Sequence, residues 1–104
     1  WHHFAMRWSA SELALFIDGV KVGSLNNPYL PSAMNTNFSI GRWLLDEYGW
    51  ANTYIDDLAL YNRALSDNEV QAIYNSGQSL PVDAWTTLKL DFNGDLSTQS
   101  GVIP

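Results

Sequence analysis

Residues 43–54, WLLDEYGWANTY, gather the side chains in this chain best suited to holding a ligand. Trp43, Tyr48, Trp50 and Tyr54 supply flat aromatic faces, and Asp46, Glu47 and Asn52 supply hydrogen-bonding groups beside them. That combination fits a sugar ring, which offers an apolar face for stacking and hydroxyls for the flanking polar groups. The competing role is packing, in which the same aromatics close the open end of a β-sandwich core.

Catalytic and metal motifs are weaker. Asp46 and Glu47 are the one obvious carboxylate pair in a loop, but glycosidases place two carboxylates on separate elements roughly 5 to 10 Å apart across a cleft. Neighbours in sequence do not provide that. The chain has no Gly-x-Ser-x-Gly nucleophile turn and no phosphate-cradling glycine loop. His2 and His3 could hint at a metal, yet adjacent residues of a strand point to opposite faces, so one ion does not reach both. The segment DFNGD sets Asp91, Asn93 and Asp95 at alternate positions, as at the start of a calcium loop. The match then fails, because Leu96 stands where the loop needs Gly and Val102 where it needs the bidentate Glu.

Composition narrows the classes further. With 104 residues and 46% hydrophobic residues, the chain has apolar surface for about one small domain. Eleven acidic residues against five Lys and Arg give a formal charge of −6, which argues against a phosphate-backbone partner and against an anionic membrane surface. No apolar stretch approaches the roughly 20 residues that cross a bilayer. The absence of cysteine excludes disulfides, thiolate zinc sites and cysteine nucleophiles. Alternation begins at the first residue, with no initiator Met, and is expected of a chain that starts inside a domain.

The elements that must position these side chains are mostly strands. In WHHFAMRW, Phe4, Met6 and Trp8 share one parity and His3, Ala5 and Arg7 the other, the period of a half-buried strand. ELALFIDGVKVGS reads as a hairpin about Asp18-Gly19, with Ile17 opposite Val20 and Leu15 opposite Val22. Leu13 then joins those residues on one face, leaving Phe16 and Lys21 on the other. Residues 24–37 read as a loop, and FSIGRW as a short strand with Phe38 and Ile40 inward. In IDDLALY, Asp56 shares parity with Leu58 and Leu60. An inward Asp56 needs a partner, such as Arg42 or backbone amides, because an unpaired buried carboxylate is costly.

A short helix follows. Ser66 and Glu69 stand in the capping-box relation, Leu65 and Val70 in that of a hydrophobic staple, and Asn75-Ser76-Gly77 supplies a left-handed end. Its apolar stripe of Val70, Ile73 and Tyr74 requires a sheet to dock on. SLPVDAW reads as a linker, and TTLKLDF as a last strand with Leu88, Leu90 and Phe92 inward. The set predicts an all-β antiparallel sandwich of jelly-roll type with one short helix, incomplete in this chain.

WHHFAMRW, LALFIDGVKVGS, FSIGRW and YIDDLALYNRALSDNEVQAIYN, in that order, resemble the consecutive motifs of concanavalin A-like, laminin G-like jelly rolls common in secreted bacterial proteins. The resemblance covers residues 1–77 and is specific for the fold, not for a ligand. A family domain also has an N-terminal half that has no counterpart here. LKLDFNGDLSTQSG resembles the opening strand of such a domain. Residues 78–85 are then a linker, and 86–104 either begin a following repeat or complete a sheet by strand exchange.

The resemblance implies that some members hold a structural calcium, for which Asp56, Asp57, Asn93 and Asp95 are suitable oxygen ligands. It implies a non-catalytic extracellular or cell-surface module with a glycan or a cell-surface protein as partner. Two further readings stand beside it: a structural repeat or fibre subunit that adds strands to neighbouring copies of itself, and an accessory domain of a glycan-degrading enzyme. Neither nucleic acid nor membrane insertion is expected.

Overall fold

The computed structural model describes residues 1–30, 40–41, 50–78, 81 and 83–90. Among them run strands β1 (Phe4–Trp8), β2 (Glu12–Ile17), β3 (Val20–Asn26) and β4 (Leu58–Tyr61), helix α1 (Asp67–Ser76) and strand β5 (Thr86–Leu90). β1, β2 and β3 form one antiparallel sheet in that order, and β4 and β5 form a second, antiparallel pair.

The β2–β3 turn follows from its two residues. Asp18 and Gly19 sit at φ 50° and 79°, the left-handed pair that matches the twist of a two-residue hairpin. Ile17 pairs with Val20 as the sequence predicts, but Leu15 pairs with Gly23 rather than Val22. A bulge opens at this point, leaving Val22 as the extra residue of β3 and shifting every later pair by one. Ser24 to Asn26, expected in a loop, therefore continue the strand opposite Ala14, Leu13 and Glu12.

Cross-strand pairing divides the three-stranded sheet into two faces. Phe4, Met6 and Trp8 stand opposite Ile17, Leu15 and Leu13, and Leu13 stands opposite Leu25, which makes one face wholly apolar. It lies largely open: Phe4 is 62% exposed, and Met6, Trp8, Val20 and Leu25 are exposed as well. Met6, Leu13, Leu15, Gly23 and Leu25 line a shallow groove of about 310 Å³ on it. The other face carries Ala14 and Phe16, each only 1% exposed. Leu65 and Val70 cover them, with Ala5, Tyr61 and Ile73 packed around. Parity thus places Phe16 as expected, but it is the core residue, because α1 docks on its face.

The helix is built as its sequence dictates. Ser66 caps it, with Glu69 N–H donating to Ser66 Oγ at 3.1 Å and Ser66 N–H donating to Glu69 Oε1 at 3.0 Å. Gly77 ends it at φ 70°, its N–H donating to the carbonyls of Ile73 and Tyr74. Both staple residues, Leu65 and Val70, are buried.

In the smaller sheet Leu58 faces Leu90 and Leu60 faces Leu88. Leu88 and Leu90 are half-buried as expected, whereas Phe92 lies outside the described residues. Ahead of β5 the chain turns, with Trp85 N–H donating to Asp83 Oδ1 at 2.8 Å, and Thr86, the first residue of β5, is fully buried. Ile40, expected inward, is exposed, and residues 40–41 form bends rather than strand. Phe38, Arg42 and Trp43 lie outside the described residues.

Candidate functional site

The aromatic loop is anchored before it is displayed. Ala51 N–H donates to Gly41 O at 2.7 Å, and Gly41 adopts φ 75°, a conformation that favours glycine. Beyond this tie Trp50 is 64% exposed and Tyr54 89% exposed, with Asn52 exposed between them. Neither ring belongs to the core beneath α1. Trp43, Asp46, Glu47 and Tyr48 lie outside the described residues.

Asp56 and Asp57 follow directly, just ahead of β4. Asp56 does not face inward, as the alternation implies; it is exposed. The reason is local. Asp57 adopts φ 51°, so the backbone is not extended there and the phase of β4 does not reach back to Asp56. The Asp56 carboxylate accepts a hydrogen bond from Asp57 N–H at 2.9 Å, and in solvent it has no buried charge to satisfy. Asn93 and Asp95, the other expected calcium ligands, lie outside the described residues, as does Arg42. Among the described residues no group of three or more His, Asp or Glu is arranged to hold a metal ion.

The two histidines serve the hairpin. His2 Nδ1 lies 2.8 Å from Asp18 Oδ2, and His3 N–H donates to Asp18 Oδ1 at 2.8 Å. The hydrogen bond from His2, then that from the His3 backbone, holds the Asp18 carboxyl below the usual range. The His3 ring lies tilted against Tyr74 at 6.2 Å between centroids.

Sequence reasoning missed a cluster of charges at the junction of sheet and helix. Arg7 donates to Leu65 O at 3.0 Å, to the Asp67 carboxylate, and to Glu12 Oε2 at 2.7 Å. Lys21 Nζ lies 2.9 Å from Glu12 Oε1 and 3.7 Å from Asp67 Oδ2. Both cations also lie over the Phe16 ring, at 5.1 and 5.8 Å from its centroid. Arg7 lowers the Asp67 carboxyl, while Lys21 first and then Arg7 lower Glu12. Beside them, Arg63 grips Glu69 through two bonds of 2.8 and 2.6 Å and brings its carboxyl down to about 2. These charges seat the start of α1 on the sheet. One clue was legible in the sequence: Arg7 and Lys21 both fall on the parity of Phe16, the face that needs a cover.

Trp50 and Tyr54 thus present two exposed aromatic faces, with the exposed amide of Asn52 between them in sequence, on a segment tied to Gly41. Antiparallel strands, a capped helix docked on one face of a sheet and an apolar opposite face define an all-β sandwich of the concanavalin A-like class. A laminin G-like family model described as "Concanavalin A-like lectin/glucanases superfamily" matches residues 1–71, and the chain belongs to that superfamily. Among solved structures it is similar to an S-layer domain-containing protein from Clostridium thermocellum ATCC 27405, crystallised as residues 221–444. The two share 28% identity with a TM-score of 0.61, over 71% of this chain and 39% of that one. This chain thus spans well under half of the crystallised neighbour. No curated protein matches it.

Proposed function

We propose that this chain is a non-catalytic binding module of an extracellular or cell-surface protein, and that it takes glycans on the loop bearing Trp50, Asn52 and Tyr54. The observation that carries the reading is the display of Trp50 and Tyr54, 64% and 89% exposed, from a loop tied down at Gly41. Exposed rings on a fixed backbone lose little conformational freedom when a sugar stacks on them. Trp43, Asp46, Glu47 and Tyr48 belong to the same loop in sequence and complete the proposed site. The superfamily's description as lectins and glucanases and the S-layer neighbour support a surface location.

A glycan array probed with the wild-type chain and with Trp50→Ala tests the proposal. Losing one stacking ring worth about 1.4 kcal/mol lowers affinity about tenfold. Wild-type binding to a defined set of glycans, weakened by at least that factor in the variant, is the expected result. Binding to no sugar, or equal binding by both proteins, contradicts it. A structural calcium held by Asp56, Asp57, Asn93 and Asp95 is proposed beside it. Repeating the array with a chelator decides that point, since unchanged binding and melting removes the ion.

The S-layer neighbour favours a second reading, in which the module is a repeat of a surface array and its partners are copies of itself.

A further inference from the structure

We propose that the open apolar face of the three-stranded sheet is a dimer interface, and that it takes the same face of a second copy turned about a two-fold axis parallel to β2. Extent is the first support. The exposed parts of Phe4, Met6, Trp8, Val20 and Leu25 leave roughly 600 Å² of apolar surface in one patch, the upper end of what a monomer shows. Two such faces together bury roughly 1,200 Å², the area at which standard-size interfaces begin.

Shape selects the occupant. One row across the face runs from Phe4 through Ile17 to Val20, the next from Met6 through Leu15 to Gly23, and the third from Trp8 through Leu13 to Leu25. In each row β1 carries the larger end and β3 the smaller. At Gly23 an added Cβ would meet no atom within 4 Å, so the middle row ends in a hollow, and a glycine inside a strand suits the close approach of another surface. A two-fold axis parallel to β2 lays β1 of each copy over β3 of the other. Met6 then meets the hollow at Gly23, Trp8 meets Leu25 and Phe4 meets Val20, each twice, so that large side chains face small ones. The strands stay aligned, as they do when two sheets of the same twist pack face to face. An axis across the strands would instead set Gly23 over Gly23 and leave the hollow empty.

Size and charge agree. A single helix, about 10 Å across, leaves part of a three-stranded face uncovered, whereas a sheet of equal width covers it. No row contains a charged residue, and Arg7 and Lys21 stand with Phe16 on the helix-covered face, so the net charge of −6 places no like charges in contact. None of this depends on the aromatic loop.

Sedimentation velocity of the full chain from about 1 to 100 µM tests the proposal, since interfaces of standard size dissociate at µM concentrations or below. The expected result is a monomer–dimer equilibrium that stops at two copies. Gly23→Met fills the hollow without a clash inside one chain and should weaken the dimer at least about tenfold. Met6→Ala, which removes the side chain that enters the hollow, should weaken it similarly. The double variant again sets a large residue over a small one and should recover dimerisation. In the wild-type chain, peroxide oxidation of Met6, followed by mass spectrometry, should slow as concentration rises, a readout that needs no variant and decides the matter if a variant misfolds. A monomer throughout the range overturns the proposal and leaves the face to a different partner. Assemblies beyond two copies, a folded double variant no better than the single ones, or oxidation indifferent to concentration overturn it as well. Trp50→Ala should dimerise as the wild type does, which separates this outcome from that of the glycan test.

Discussion

Gly19 shows how tightly a single residue fixes the joint between sheet and helix. It holds φ 79°, and a side chain there would place Cβ 2.9 Å from Cδ1 of the Tyr74 ring. Gly19→Ala therefore meets two penalties, the left-handed backbone and the collision with α1. Together they should cost about 2 to 3 kcal/mol, or roughly 10 °C in melting temperature for a domain of this size. In a Tyr74→Ala background the collision disappears, and the same substitution should cost about 1 kcal/mol less. Urea denaturation of the four proteins checks this, and strict additivity would show that ring and turn do not touch. The turn itself was legible, since Asp-Gly demands two positive φ angles. The contact with Tyr74 was not, because residues 55 positions apart meet only after the helix has docked. Asp56 shows the converse limit: its parity with Leu58 and Leu60 pointed inward, but one left-handed residue, Asp57, cancelled the alternation.

At the scale of elements, α1 was read almost completely because its signals are local. Ser66, Glu69, Leu65, Val70 and Gly77 act within one or two turns, and all five take the roles their spacing dictates. What the helix covers was hidden, because that depends on which sheet face receives it. β3 shows the same division: its turn and first pair follow from sequence, whereas the bulge at Val22 leaves no mark on an alternation that runs on through Val20 and Val22. The charges that seat α1 make its docking sensitive to acid. Glu69 is drawn from an ordinary 4.5 to about 2, chiefly by Arg63, and Asp67 and Glu12 are also lowered. Depressed carboxyls bind fewer protons in the folded chain than in the unfolded one, so their contribution is complete above about pH 5 and is lost as pH falls toward 2. Urea melts across that window should show stability falling with acid. Arg63→Ala should flatten the fall, since Glu69 then titrates nearer its ordinary value. A slope indifferent to Arg63 would assign the acid sensitivity elsewhere.

At the scale of the whole molecule, the described residues present three surfaces of different character. The helix-covered face of the large sheet is its core, the opposite face is apolar and open, and the loop from Trp50 to Tyr54 displays aromatics from an anchored base. The fold class was legible from alternation and from the order of four motifs, and the superfamily match over residues 1–71 agrees with it. The candidate site was legible as a cluster of residue types. Its display was not, because composition does not distinguish a ring that closes a core from one that faces solvent. The net charge of −6 agrees with the proposal of a neutral glycan, because anionic polymers are drawn by clustered cations.

The most direct measurement is calorimetric titration of the best-bound glycan into the wild-type chain, Tyr54→Ala and Trp1→Ala. Trp1 is 88% exposed and lies outside the loop, so it controls for general adhesiveness of exposed rings. Binding weakened about tenfold or more by Tyr54→Ala and unaltered by Trp1→Ala, with melting temperatures unchanged, is the predicted result. Equal binding by all three proteins, or equal losses in both variants, would contradict a glycan site on this loop.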